Sequence, residues 1–128
     1  MKIIQDIWIL DKAGVAIFHR AFEKTISPQM FGAMMSALHM FAEELTEGGL
    51  SNFELNERKY TIIKKSGLLF VVNSSKNHKQ KKVNRELERI SKKFLKLYSE
   101  QLKNFKGETG AFEEFTSVIE NALEDKNN

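Results

Sequence analysis

The feature that most constrains this sequence is a run of five large apolar residues, LLFVV, at positions 68–72. Successive side chains of a β-strand point to opposite faces, so a run without polar alternation needs burial on both sides. Turn residues bound the run at 66–67 and at 73–75. These turns lie too close together for a buried helix. The run therefore predicts a central strand in a sheet with helices on both faces.

A hairpin and a helix are predicted before this run. Residues 3–10 are apolar on both faces of a strand, and residues 15–22 form a returning strand after a short turn. Ser27 can accept a hydrogen bond from a free backbone N–H in the first turn of a helix. Pro28 suits the first helical position, because the backbone N–H that proline lacks would have no partner there. Apolar residues at helical spacing, which are expected to face the core, follow as far as a Gly-Gly pair: Phe31, Met34, Met35, Leu38, Phe41, Ala42 and Leu45.

Three strands and two helices complete the predicted order. Residues 52–57 and 60–65 precede the central strand, and the first of them is polar enough to be an edge. Apolar residues then recur at helical spacing over 83–105 and 112–123, with a bend at 108–110 between them. The polar tail, 124–128, is expected to fray.

The composition is that of a single globular domain. A chain of 128 residues that is 41% hydrophobic can bury one core and is too short for two ordinary domains, so one domain is expected over residues 1–128. The absence of cysteine excludes disulfides, thiolate metal sites and a cysteine nucleophile, and fits a reducing compartment. No segment has the roughly 18–20 apolar residues that span a bilayer. We expect a cytoplasmic protein, at most peripheral to a membrane.

No motif indicates catalysis or a cofactor. The glycines lack the Lys-Ser or Lys-Thr and following helix of a phosphate-binding loop. His19, His39 and His78 have no second histidine three or four residues away to make a metal-binding pair, so no metal site is expected and the histidines should be satisfied or solvated. Asp6 and Asp11 are not a catalytic pair, since their spacing on a strand puts them on opposite faces, and Asp11 is expected to be a turn residue. We therefore expect no enzymatic activity and no bound cofactor.

A cationic face on the long predicted helix is the first candidate binding feature. Six Lys and Arg side chains gather opposite the apolar stripe, with Glu100 at the edge. Such a face can bind anionic lipid, acidic protein or nucleic acid, and nucleic acid is least favoured because no aromatic side chains interleave with the cations. The alternative is an ordinary solvated face. The six residues are Lys82, Arg85, Arg89, Lys92, Lys96 and Lys103.

An apolar strip on the first predicted helix is the second feature. It lies on a different side of that helix from the stripe expected in the core. Its alanines would let another helix approach closely, and its methionines would adapt to an irregular partner surface. The alternative is scattered surface alanines beside partly covered methionines. The strip consists of Met30, Ala33, Ala37 and Met40.

The order of the predicted elements resembles the longin, or SNARE-like, family. Residues 7–18, IWILDKAGVAIF, are similar to the start of that family: an apolar strand, an Asp-Gly type of turn, and a second strand that ends in an aromatic residue. Roadblock domains share several of these parts but begin with a helix. The resemblance implies an α+β fold: a five-stranded antiparallel sheet with the first helix on one face and the last two on the other. The first and fifth strands would lie at the centre.

The resemblance also implies a binding module rather than an enzyme. Longin domains occur in SNAREs, in vesicle-coat adaptors and in complexes that act on Rab-type GTPases. No coiled-coil heptads or membrane anchor follow the last helix, so a fusion role is not expected. We expect a small-GTPase-associated or vesicle-trafficking adaptor or regulator, acting as a homodimer or with another longin- or roadblock-like chain. The alternative is a peripheral adaptor that binds anionic membrane surfaces through the cationic face.

Overall fold

The computed structural model describes residues 3–20, 27–55, 58–105 and 111–119, and within them the elements follow the predicted order. The strands are β1 (Asp6–Leu10), β2 (Ala16–Arg20), β3 (Asn52–Leu55), β4 (Arg58–Lys65) and β5 (Leu68–Ser75). The helices are α1 (Pro28–Leu45), α2 (Gln80–Lys103) and α3 (Phe115–Ile119).

The five strands form one antiparallel sheet in the order β2-β1-β5-β4-β3. The first and fifth strands pair at its centre, from Asp6 opposite Asn73 to Leu10 opposite Leu69. The edges are β2 and β3, so the prediction that the strand after α1 is an edge is confirmed. The expected α+β architecture is confirmed as well.

The central strand β5 is covered on both faces, as its apolar run predicts. Leu69 and Phe70 point in opposite directions and are 7% and 0% exposed. Leu69 packs with Trp8 in the cluster that includes α1 residues, whereas Phe70 packs with Phe94 and other residues of α2 and α3. One helix therefore covers one face, and two helices cover the other.

The larger of the two cores is built around aromatic rings. Phe94 of α2 lies with its ring centroid 5.2 Å from that of Phe112, 5.0 Å from that of Phe115 and 5.9 Å from that of Phe70. All four side chains are fully buried. Burying a phenylalanine contributes roughly 1.5–3 kcal/mol, so these rings attach α2 and α3 firmly to the sheet.

Several predicted boundaries differ from the observed ones. Helix α2 begins three residues before the predicted start at 83, and its backbone is not helical at Tyr98, where φ is −119° and ψ is 15°. Helix α3 is shorter than the predicted 112–123, since residues 111–114 form turns. The end of the predicted second strand, the bend at 108–110, residues 120–123 and the tail at 124–128 lie outside the described residues.

The turn between β1 and β2 has the structural role that its sequence predicts. Asp11 Oδ1 accepts hydrogen bonds from the backbone N–H groups of Ala13 and Val15, both at 2.9 Å. Gly14 has a positive φ of 84°, which glycine adopts without strain. A Cβ added to Gly32 of α1 would lie 2.3 Å from the carbonyl oxygen of Gly14. The turn and α1 are therefore in backbone contact, which only glycine at position 32 permits.

A buried polar pair at the other end of the central strands was not predicted. The backbone N–H of Asp6 donates to Asn73 Oδ1 at 2.8 Å, and Asn73 Nδ2 donates to Asp6 Oδ2 at 2.9 Å. Arg58 of β4 brings a guanidinium nitrogen within 3.6 Å of the same carboxylate oxygen. The pair links β1 to β5 through side chains as well as through the backbone ladder.

The first prediction concerns this pair. The Asn73→Ala substitution removes two buried hydrogen bonds of Asp6 and should lower the free energy of unfolding by roughly 1–3 kcal/mol. The matched control is Asn77→Ala in the exposed turn after β5, which should change that free energy by less than about 0.5 kcal/mol. Urea unfolding followed by circular dichroism measures both. Equal losses in the two variants would contradict a stabilising role for the Asp6–Asn73 pair.

Candidate functional site

Helix α1 crosses one face of the sheet from β2 to β4. The Ser27 hydroxyl accepts from the N–H of Met30 at 3.0 Å, so the predicted start of the helix is confirmed. Near this end the Gln29 side chain exchanges two hydrogen bonds with the backbone of Ala16 in β2. Towards the other end, Lys64 Nζ of β4 lies 3.1 Å from Glu43 Oε2. Hydrogen bonds therefore attach the start of the helix to β2, and an exposed ion pair, which contributes little to stability, lies near its end.

The buried face of α1 is narrow. It consists of Phe31, Gly32, Met35 and His39. Phe31 stacks on Trp8 of β1, with ring centroids 3.9 Å apart, and Gly32 lies against Gly14. Because these contacts set the rotation of the helix about its own axis, only residues near this line reach the core.

The structure corrects the predicted core stripe of α1. Met34, Leu38, Phe41 and Leu45 were expected in the core but are between 46% and 72% exposed. The close approach at Gly32 turns the helix so that Gly32 and His39, rather than these four residues, face the sheet. Their spacings of four, three and four place them along one line of the helix surface.

The predicted strip on α1 lies beside this line and is exposed too. Met30 and Met40 are 58% and 62% exposed, and Ala33 and Ala37 are also exposed. Contiguous apolar surface of this kind is unusual on a protein without a partner. We refer to the two lines together as the outer face of α1: Met30, Ala33, Met34, Ala37, Leu38, Met40, Phe41 and Leu45.

The edge strand β3 adds apolar surface that the sequence analysis did not include in a candidate site. Phe53 and Leu55 are two residues apart and thus share one face of the strand. Phe53 packs against the core cluster that includes Phe31 of α1, so this is the face that α1 covers. Leu55 is exposed there. An apolar residue at the solvent side of a short edge strand was the signal that could have identified it.

The three histidines do not form a metal site. His39 is only 3% exposed, neither ring nitrogen has a hydrogen-bond partner, and its Nε2 lies 3.7 Å from Glu43 Oε2. The expectation of a satisfied or solvated histidine is thus wrong for His39. His19 is exposed, and the backbone oxygen of His78 accepts from Lys59 Nζ at 2.8 Å. Within the described ranges, no group of His, Asp or Glu side chains could hold a metal ion.

The six predicted cations of α2 are all exposed. They lie opposite the buried line of the helix, which includes Val83, Leu87 and Phe94. Arg89 Nε donates to Glu86 Oε1 at 2.9 Å, and Lys103 Nζ lies 3.5 Å from Glu100 Oε1. We call these six residues the cationic face of α2. None of the helices in the described part of the chain is long and apolar enough to cross a membrane.

A surface groove of about 520 Å³ lies between the exposed sides of α2 and α3, next to Tyr98. Burial raises the pKa of the Tyr98 phenol above its ordinary value of 10.0, and the negative charge of Glu114 raises it further. A phenol with a raised pKa stays neutral at physiological pH. The Tyr98 phenol is therefore neutral where it borders the groove.

The family described as the first longin domain of FUZ, MON1 and HPS1 matches residues 5–117. This chain belongs to that longin family. The match covers all five strands, α1 and α2, and it confirms the resemblance found in the sequence. No curated protein matches this longin domain in sequence.

Solved structures with a similar fold include two bacterial MglB proteins and a roadblock domain. MglB of Myxococcus xanthus has a TM-score of 0.61 and 16% identity, over 76% of this chain and 85% of that one. A roadblock/LC7 domain from Streptomyces avermitilis has a TM-score of 0.61 and 15% identity, over 75% and 85%. The gliding protein MglB of Thermus thermophilus has a TM-score of 0.53 and 14% identity, over 67% and 71%. At these identities the similarity concerns the fold.

The second prediction compares two phenylalanines of α1. Phe31→Ala should lower the free energy of unfolding by about 3–5 kcal/mol, because Phe31 is 8% exposed and stacked on Trp8. Phe41→Ala should change it by less than about 0.5 kcal/mol in dilute solution, because Phe41 is 66% exposed. Urea unfolding at low protein concentration measures both. A large loss for Phe41→Ala under these conditions would mean that the outer face of α1 is part of the core.

Proposed function

We propose that this longin domain is a non-catalytic protein–protein interaction module that pairs through the outer face of α1. The observation that carries the proposal is the exposure of Phe41 and Leu45 beside six further apolar side chains on one helix. Glu44 is the only charged residue on that side of α1. Large aromatic and aliphatic side chains that remain exposed in a single chain are typical of interface centres.

Pairing with a second copy, or with another longin- or roadblock-like chain, fits the shape of this surface. Two-fold symmetry lets the same strip meet its own copy, and Ala33 and Ala37 let the two helices approach closely. The exposed apolar residue Leu55 on the free edge of β3 could extend the contact. An MglB structure of similar fold, at 14% identity, is described as having a tetrameric arrangement. The assembly of another protein with this fold supports the proposal that this domain pairs.

The energetics favour an interface larger than α1 alone. Burying apolar area contributes about 25 cal/mol per Å², so a few hundred Å² per copy contribute several kcal/mol. Association entropy opposes much of this gain. A pair held only by α1 is therefore weak, and one that also uses β3 is stable at micromolar concentration.

The partner of the paired domain, in this proposal, is a small GTPase or a complex of the vesicle-trafficking type. Membership of the longin family supports this part of the proposal. Longin domains occur in complexes that act on Rab-type GTPases. Regulatory domains of the longin and roadblock type are generally non-catalytic, which supports a role in binding.

The third prediction tests pairing. The Ala37→Glu substitution should lower the average mass at high micromolar concentration towards that of one chain, because it places like charges across the two-fold axis. The matched control is Ser99→Glu on the exposed side of α2, which makes the same kind of change outside the proposed interface. Light scattering as a function of concentration measures the mass of wild type and both variants.

Two results would overturn self-association through α1. One is wild-type protein that remains a single chain at high micromolar concentration. The other is an Ala37→Glu variant that pairs as strongly as wild type and the Ser99→Glu control. Because helices accept glutamate well, circular dichroism should show folded protein in every case.

The fourth prediction tests the partner class. Purified Rab-type GTPases, each loaded with GDP or with a non-hydrolysable GTP analogue, should include one that binds the wild-type domain in a nucleotide-dependent way. The Ala37→Glu variant should bind it more weakly, because the paired form is the proposed partner-binding form. The comparison comes from measuring how tightly the wild-type domain and the Ala37→Glu variant bind each immobilised GTPase. Equal, nucleotide-independent binding across the panel would contradict a GTPase-directed role.

A further inference from the structure

The cations on α2 are spaced so that they form a continuous row along the surface of the helix. Lys82, Arg85, Arg89, Lys92 and Lys96 follow one another at intervals of three, four, three and four residues, so each is next to another on the helix surface. Lys103 continues the same line one heptad later. At a rise of 1.5 Å per residue the line is about 32 Å long. It forms a row of positive charge on the solvent side of the domain.

The positive charges of this row repel one another along the helix. Like charges three or four residues apart repel one another, whereas alternating charges of opposite sign would attract. Three acidic residues, Glu86, Glu88 and Glu100, lie three or four positions from members of the row. In the structure Glu86 pairs with Arg89 and Glu100 with Lys103, whereas Glu88 pairs with Lys65 of β4. Arg89 and Lys103 form ion pairs, whereas Lys82, Arg85, Lys92 and Lys96 form none within the described part of the chain. Packing of the opposite side of α2 against the sheet has to overcome this repulsion.

The chemistry of the row indicates what it would bind. The helix surface between Lys82 and Lys96 on this side carries no apolar side chain, although protein interfaces generally have an apolar centre. It also lacks the aromatic side chains on which bases of a single-stranded nucleic acid stack. Long, flexible cationic side chains on an extended exposed line suit a broad surface of negative charge. An anionic lipid bilayer has such a surface.

We propose that the cationic face of α2 binds the headgroups of an anionic lipid bilayer, with the helix axis parallel to the membrane plane. This site lies on the other side of the sheet from α1, so the proposal goes beyond the protein-pairing function and does not depend on it. Binding is electrostatic and superficial, because no apolar side chain on this side of α2 can insert between the lipids. It therefore weakens as salt screens the charges.

The experiment measures co-sedimentation with vesicles of phosphatidylcholine, with and without phosphatidylserine, at low and at physiological ionic strength. The test variant is Arg89→Glu/Lys92→Glu/Lys96→Glu. The control variant is Lys12→Glu/Lys64→Glu/Lys76→Glu, which changes the net charge equally at exposed lysines outside α2. Circular dichroism checks that both variants fold. Ion pairs of Lys64 and Lys76 are exposed, so their loss should affect stability little.

The expected result is that wild-type protein and the control variant bind vesicles containing phosphatidylserine and do not bind pure phosphatidylcholine. The α2 variant should bind roughly a hundredfold more weakly, because each cation near an anionic surface contributes several-fold in affinity. Binding should decrease at physiological salt.

Three results would overturn the proposal. The first is an absence of wild-type binding to phosphatidylserine vesicles at low salt, where attraction is least screened. The second is an equal loss of binding in both triple variants, which would assign the effect to net charge rather than to α2. The third is binding of a single-stranded oligonucleotide that is tighter than vesicle binding and equally sensitive to the α2 substitutions.

Discussion

The need to exclude water from both faces of the paired strands β1 and β5 determines how the rest of the chain is used. Nearly every side chain of these two strands is buried, so the sheet cannot leave either face open to solvent. Helices α2 and α3 cover one face with aromatic rings, and α1 covers the other through Phe31 and Met35. The side of α2 that faces away from the sheet carries charge, and the side of α1 that faces away from it carries apolar residues.

Most of the architecture could be predicted because its signals are local. The run at 68–72 indicates a strand buried on both sides, and the apolar period of α2 contrasts with a charged opposite side, which fixes the rotation of that helix. Long-range contacts were missed. Asn73 was interpreted as a turn residue because its partner, Asp6, is 67 residues away in sequence. Nothing in the local pattern around Tyr98 indicates the interruption of α2 there.

The candidate surface on α1 was predicted only in part, for a physical reason. A helix that is apolar on nearly all sides gives no information about its own rotation, so the expectation for Met34, Leu38, Phe41 and Leu45 was wrong. The contact between Gly32 and Gly14 decides the rotation of α1. A pattern of hydrophobic residues cannot predict this contact, because glycine has no side chain to contribute to the pattern. The same property that made α1 hard to interpret gives it more apolar surface than its own sheet can cover.

The free edge of β3 has a geometric consequence for any assembly that uses it. Two copies of β3 that pair antiparallel across this edge are related by an axis perpendicular to the sheet, and such an axis exchanges the copies without exchanging the faces. Both α1 helices would then lie on one side of a ten-stranded sheet, and both α2 helices on the other. The pair would have two different sides, one carrying both α1 helices and the other carrying two rows of positive charge.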